Sequence, residues 1–226
     1  MNTANNSHHD NMDRRDFIKK LGLTAGAIAL SGVAEACQAA TSKTKSNKME
    51  IVVLTGSPRR KGNTNHMAEQ FIKGATEAGH DVYRFDCASA DVKPCIACNR
   101  CGMDGECIYD DDFSNELRPK LLGADMIVFC SPMYYFGFSS QLKRVIDRFY
   151  AINYKLMDSG KKGVFLMAYA NTAKEGAEPM LMHYHQLLKY LGMTDAGTVV
   201  APGMWPVGAI DNSKYLTDCY NLGKNL

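Results

Sequence analysis

The sequence predicts an α/β three-layer sandwich: a five-stranded parallel sheet in the order 2-1-3-4-5, covered by helices on both faces. Three observations predict it. Apolar, β-branched runs alternate with helical stretches from Met49 onward, the pattern of strands joined by crossover helices. The run over Asp125–Cys130 is apolar after its first residue, which suits a strand buried on both faces. The first strand leads straight into a polar loop bounded by Gly56 and Gly62, and a helix follows.

Each element has its own signal. Glu50–Leu54 is an apolar strand, and the helix after its loop runs from about Asn63 to Ala78, ended by Gly79-His80. Asp81–Asp86 alternates as the second strand. A cysteine-rich insertion, Cys87–Asp112, follows it. Asp111 or Asp112 can cap a helix over Phe113–Leu122. Beyond the third strand, Ser131–Ser139 is expected as a loop and Ser140–Ile152 as a helix. Lys162–Ala170 is the fourth strand, Ala177–Leu191 a helix, Thr194–Ala201 the fifth strand and Asp211–Asn221 the closing helix.

The 226 residues suit one domain with additions. A net charge of +2, with lysine and arginine scattered, argues against nucleic-acid binding. Residues 1–40 have the three-part layout of an export signal: Arg14-Arg15 ahead of Phe17-Ile18-Lys19, the apolar run Leu21–Val33, and a small-residue segment ending at Ala40. The paired arginines resemble the twin-arginine type, which carries folded, cofactor-loaded proteins to the periplasm or cell envelope. The alternative is a cytoplasmic protein with an amphipathic N-terminal helix. The apolar run falls short of the ~20 residues of a membrane span. Residues 41–48 form a polar linker, and residues 49–226 the folded domain.

The loop Gly56-Ser-Pro-Arg-Arg-Lys-Gly-Asn-Thr64 places donors where a helix N-terminus already favours an anion. Ser57, Arg59, Asn63 and Thr64 add side-chain donors. The spacing departs from a nucleotide P-loop, with Asn63-Thr64 where Lys-Ser/Thr belongs, and it lacks Gly-x-Gly-x-x-Gly. A terminal phosphate monoester such as that of FMN fits it better than ATP or NAD. In the order 2-1-3-4-5 the ends of the first and third strands are neighbours, so one ligand can touch both. The third strand ends in Pro132-Met133-Tyr134-Tyr135-Phe136-Gly137, flat and polarisable side chains for a planar ring. Gly137 would allow close backbone approach.

Four of the eight cysteines, Cys95, Cys98, Cys101 and Cys107, form C-x2-C-x2-C-x5-C. This approaches the bacterial ferredoxin spacing, with a longer final gap and no terminal proline. The spacing leaves a [4Fe–4S] cluster, zinc, and free or disulfide-linked thiols as readings. Cys87, Cys130 and Cys219 read as packed thiols, Asp147-Arg148 as a structural or interface pair, and His183 and His185 as lying on different helix faces. Trp205 is open between flavin capping and an interface.

Taken together, the phosphate loop, the four cysteines and Ser131–Gly137 resemble the iron–sulfur flavoproteins, within the flavodoxin-like NAD(P)H-dependent FMN reductases. The resemblance spans roughly Met49–Ala201. It implies a flavodoxin-like fold and FMN held by Ser57, Arg59, Asn63 and Thr64 at the phosphate, with Pro132–Gly137 at the ring. It also implies a [4Fe–4S] cluster on Cys95, Cys98, Cys101 and Cys107, NAD(P)H as donor, and a homodimer or homotetramer. The electron acceptor would be a small molecule or a redox partner. The alternative from another class is an exported, non-enzymatic electron carrier.

Overall fold

The computed structural model describes residues 48–157 and 159–226; the export signal and all but the last residue of the linker lie outside them. Five parallel strands stand in the order β2-β1-β3-β5-β6: β1 Glu50–Thr55, β2 Asp81–Asp86, β3 Met126–Tyr134, β5 Lys162–Ala168 and β6 Thr194–Ala201. This is the expected order, with one addition. A sixth strand, β4 Gly137–Phe138, turns back antiparallel onto β3, pairing Met133 with Phe138 and Tyr134 with Gly137. Hence Ser131–Ser139 is a hairpin extending β3 rather than a loop.

Side-chain alternation divides the core between the two faces of the sheet. Ile51, Val53, Met126, Val128, Val164 and Leu166 pack on one face with α1 (Asn63–Glu77) and α6 (Lys214–Lys224). Those two helices cross closely: a Cβ on Gly74 would stand 2.1 Å from the Tyr220 carbonyl oxygen, and one on Gly223 2.2 Å from that of Phe71. Val52, Leu54, Ile127, Phe129, Phe165 and Met167 pack on the other face. That face is covered by α2 (Arg118–Gly123), α3 (Ser140–Asp147), α4 (Asn153–Leu156) and α5 (Glu178–Leu191).

Two expected helices are broken. The first opens with a widened π turn, Phe113–Leu117, before α2. Pro119 lies at the start of α2 and has no amide hydrogen to continue the ladder. The second tightens after Asp147 into a 3-10 segment, Arg148–Ile152. The closing helix starts at Lys214, because Asn212 takes a positive φ of 61° that a right-handed helix does not carry; Asp211, ahead of it, contacts His66 at 2.9 Å. Cys87, Cys130 and Cys219 are fully buried, and burial raises each thiol, to about 12 for Cys87 and Cys219. His183 faces Phe138 edge-on while His185 reaches Asp195, so the two do point apart.

Candidate functional site

The loop after β1 is shaped by its own polar groups. The Arg59 amide donates to Ser57 Oγ at 3.2 Å, and the Gly62 amide donates to the Arg59 carbonyl at 2.8 Å. A Cβ on Gly62 would stand 2.9 Å from both the Arg59 carbonyl oxygen and Ser57 Oγ, so the turn closes only around glycine. Asn65, almost fully buried, donates from Nδ2 to the carbonyls of Arg59 at 2.8 Å and Arg60 at 3.3 Å. No side chain caps α1; the Asn65 amide turns back to the Gly62 carbonyl at 2.9 Å, and the Asn63 and Thr64 amides ahead of it stand at the exposed helix end where an anion would bind. Arg59, Arg60 and Lys61 are exposed beside that end, and none forms an ion pair among the described residues.

Buried hydroxyls lace this loop to the end of β3. Ser139 Oγ donates to the Gly56 carbonyl at 2.7 Å and accepts from the Leu142 amide at 3.4 Å, capping α3. The Ser139 amide donates to Ser131 Oγ at 3.0 Å. Gly56 sits at the crossing, where a Cβ would stand 2.4 Å from Ser139 Oγ and 2.8 Å from Leu142 Cβ.

Between these loops lies one cleft of about 290 Å³. Ser57, Arg59, Asn63 and Thr64 line it from the β1 loop and Pro132, Met133 and Tyr134 from the end of β3. The remaining walls are Ala168, Tyr169 and Ala170 after β5, with Met204, Trp205 and Val207. The β3–β5 register explains the first group, since Pro132 pairs with Ala168 and brings both strand ends to the same rim. Trp205, open in the sequence, thus belongs to the cleft; it is 78% exposed.

Some expected residues take other positions. Asn63 lines the cleft, but its side chain is committed elsewhere. It donates to the carbonyls of Met204 at 3.1 Å and Pro206 at 2.8 Å, and accepts from the Gly208 amide at 3.0 Å. Its work is to hold the wall that carries Trp205. Tyr135 and Phe136 lie outside the cleft, at the hairpin tip, where they border a shallow apolar shelf with Ala170 and Asn171. Both have positive φ, 47° and 64°, while Gly137 does not, and a Cβ on Gly137 would meet only the Tyr134 carbonyl at 4.0 Å. Two aromatic residues instead bear the left-handed turn, at a cost of roughly 1–2 kcal/mol each.

The cysteine insertion is a compact body packed on residues 148–155. Tyr150 Oη donates to Asn99 Oδ1 at 2.8 Å, and Lys155 pairs with Asp104 at 2.9 Å. Its neck is closed by Arg148, which is buried and pairs with Asp111 rather than with its neighbour Asp147. Nη1 donates to Asp111 Oδ2 at 2.6 Å and to the Lys93 carbonyl at 2.9 Å; Nη2 donates to Asp111 Oδ1 at 3.1 Å. Asp147 pairs with Lys143 instead. Cys95, Cys98, Cys101 and Cys107 all line one small hollow, together with Ile96, Ile108, Tyr109 and Arg148. Among the described residues, no three His, Cys, Asp or Glu side chains converge on a single metal ion.

A family model described as NADPH-dependent FMN reductase matches residues 49–206. The chain belongs to that family. Membership makes it an FMN-dependent oxidoreductase of the NAD(P)H-linked type, with the flavodoxin-like architecture described above. An iron–sulfur flavoprotein of Archaeoglobus fulgidus is 30% identical over 158 residues, 70% of each chain. One of Methanosarcina thermophila is 27% identical over 149 residues, covering 66% of this chain and 78% of its own. An NAD(P)H:quinone oxidoreductase from Methanothermobacter marburgensis superposes with a TM-score of 0.65 at 20% identity, covering 79% of this chain and 96% of its own. That likeness shows the fold alone. Among the described residues of this reductase-family chain, no helix is long and apolar enough to cross a membrane.

Proposed function

We propose that the chain holds FMN in the cleft between the β1 and β3 loops and a [4Fe–4S] cluster at Cys95, Cys98, Cys101 and Cys107. Reducing equivalents from NAD(P)H would leave by way of the cluster for a small-molecule acceptor or a redox partner. The observation that supports this best is the single cleft. One end offers amide donors, hydroxyls and a cation suited to a phosphate monoester, and the other a thioether and aromatic walls suited to a flat ring. For the cluster, the support is four thiols around one largely apolar hollow. When bound, FMN supplies exchange of electron pairs with a nicotinamide and of single electrons with the cluster.

The protein's share is placement. The Gly56–Gly62 loop and Arg59 neutralise the phosphate, Asn65 keeps the loop carbonyls turned away from it, and Trp205 with Met133 shields the ring from water. No side chain is assigned as acid or base, because hydride transfer needs none. The exposed Tyr135–Phe136 tip suits contact with a second copy in a homodimer or homotetramer. Anaerobic mixing with NADPH or NADH is expected to bleach the flavin band promptly; a stable band would contradict NAD(P)H as donor. Cys98→Ala should lose iron and the broad cluster absorbance while keeping the flavin spectrum, and retention of both would contradict the cluster. The twin-arginine segment is proposed to export the loaded protein. Replacing Arg14 and Arg15 together by lysine should then hold it in the cytoplasm, and unchanged fractionation would contradict export by this route.

A further inference from the structure

We infer that Arg148 donates a hydrogen bond from Nε to a sulfur of the centre held by the four cysteines, and so sets that centre's reduction potential. The inference rests on the proposed cluster. It comes from a full accounting of one guanidinium, which carries five N–H donors. The two on Nη1 go to Asp111 Oδ2 and the Lys93 carbonyl, and the two on Nη2 to Asp111 Oδ1 and to Ser114 Oγ at 3.3 Å. The fifth, on Nε, is buried and has no partner among the described residues. Arg148 is 1% exposed, and it lines the hollow that the four cysteines share.

Leaving a buried charged donor unmet is costly, so an acceptor is expected there. Thiolate and cluster sulfur are the acceptors the hollow would offer. Arg118 and Arg144 also have an unpartnered Nε, but neither lines the hollow. Tyr109 and Phe113 flank the guanidinium, with ring centroids 5.2 Å and 4.8 Å from its central carbon, and hold its plane. Asp111 offsets the formal charge, so what remains to act on the sulfur is the directed N–H. Hydrogen bonds to cluster sulfur stabilise the more negative, reduced state and raise the potential.

The test is a spectroelectrochemical titration of the intact, anaerobically prepared holoprotein. Arg148→Lys keeps a cation for Asp111 and removes the ε donor. It is expected to load iron normally and to shift the cluster equilibrium about tenfold toward the oxidised state, which is 59 mV lower for a one-electron couple. Ser114→Ala, which removes only an η contact, should leave the potential unchanged. An unchanged potential in Arg148→Lys with iron fully loaded would overturn the inference while leaving the cluster standing.

A second measurement covers an Arg148→Lys protein that fails to fold. Protein with 15N in its arginine guanidinium groups, made in an Arg100→Lys background, should show nitrogen hyperfine coupling to the reduced cluster. Absence of that coupling overturns the inference. A wild-type protein holding neither iron nor acid-labile sulfide after anaerobic reconstitution overturns the inference and the cluster together.

Discussion

Asp111→Ala is expected to cost about 3–5 kcal/mol, the range for removing one partner of a buried ion pair. The variant leaves the Arg148 guanidinium 1% exposed with no counter-charge, and it also frees the Lys93 amide, which donates to Asp111 Oδ2 at 2.9 Å. The stretches on either side of the four cysteines, at Lys93 and Asp111, are joined at this carboxylate, so the insertion should loosen before the sheet does. Denaturant unfolding at neutral pH, with iron content measured on the same samples, checks both effects; full stability with full iron loading would contradict the clamp.

The wild-type protein carries a related acid dependence. Burial pushes the Asp111 carboxyl up, but its hydrogen bonds to Arg148 and to the Lys93 and Ser114 amides outweigh this and hold it below the ordinary carboxylate range. A depressed folded value means the stabilisation is complete above the unfolded value of about 3.9 and lost as pH falls through the folded one. Acid unfolding below about pH 4 should therefore steepen where Asp111 is present and flatten in Asp111→Asn.

Gly56→Ala is the second large effect. A methyl group here would press on Ser139 Oγ and Leu142 Cβ, which are held by the cap of α3 and by the sheet. Forcing a close-packed contact apart costs roughly 1–3 kcal/mol. Because this contact sets the spacing of the β1 and β3 loops, the cost should emerge as weaker FMN binding, about 5- to 150-fold. Equilibrium titration of apoprotein measures it, and an unaltered dissociation constant would mean the two loops do not form the site together.

Much of this was legible in the sequence. The places of the strands and helices follow from local patterns, because a parallel strand buried on both faces cannot hide its apolar run; the strand order came with the doubly wound fold class. Ser57, Arg59, Asn63 and Thr64 reach the cleft because a strand–loop–helix unit is a local structure. The missing parts are long-range. Ala168-Tyr169-Ala170 reads as the end of a core strand, and only the pairing of Pro132 with Ala168 brings it to the ligand. Arg148 lies next to Asp147 in sequence, yet its partner is 37 residues away. Asn63 reads as a phosphate ligand until the chain returns to it 141 residues later. The hairpin tip was hidden because its positive-φ positions are Tyr135 and Phe136, aromatic residues that carry no turn signal.

Trp205, the only tryptophan, lines the cleft and provides its own reporter. The most direct measurement is titration of apoprotein with FMN and, separately, with riboflavin, followed by Trp205 fluorescence. The expected result is quenching by both, with FMN bound at least about tenfold tighter, since a charged hydrogen-bonded contact contributes about 1.5–3 kcal/mol. Equal affinities, or no quenching by either, would contradict a cleft that grips phosphate at one end and flavin ring at the other.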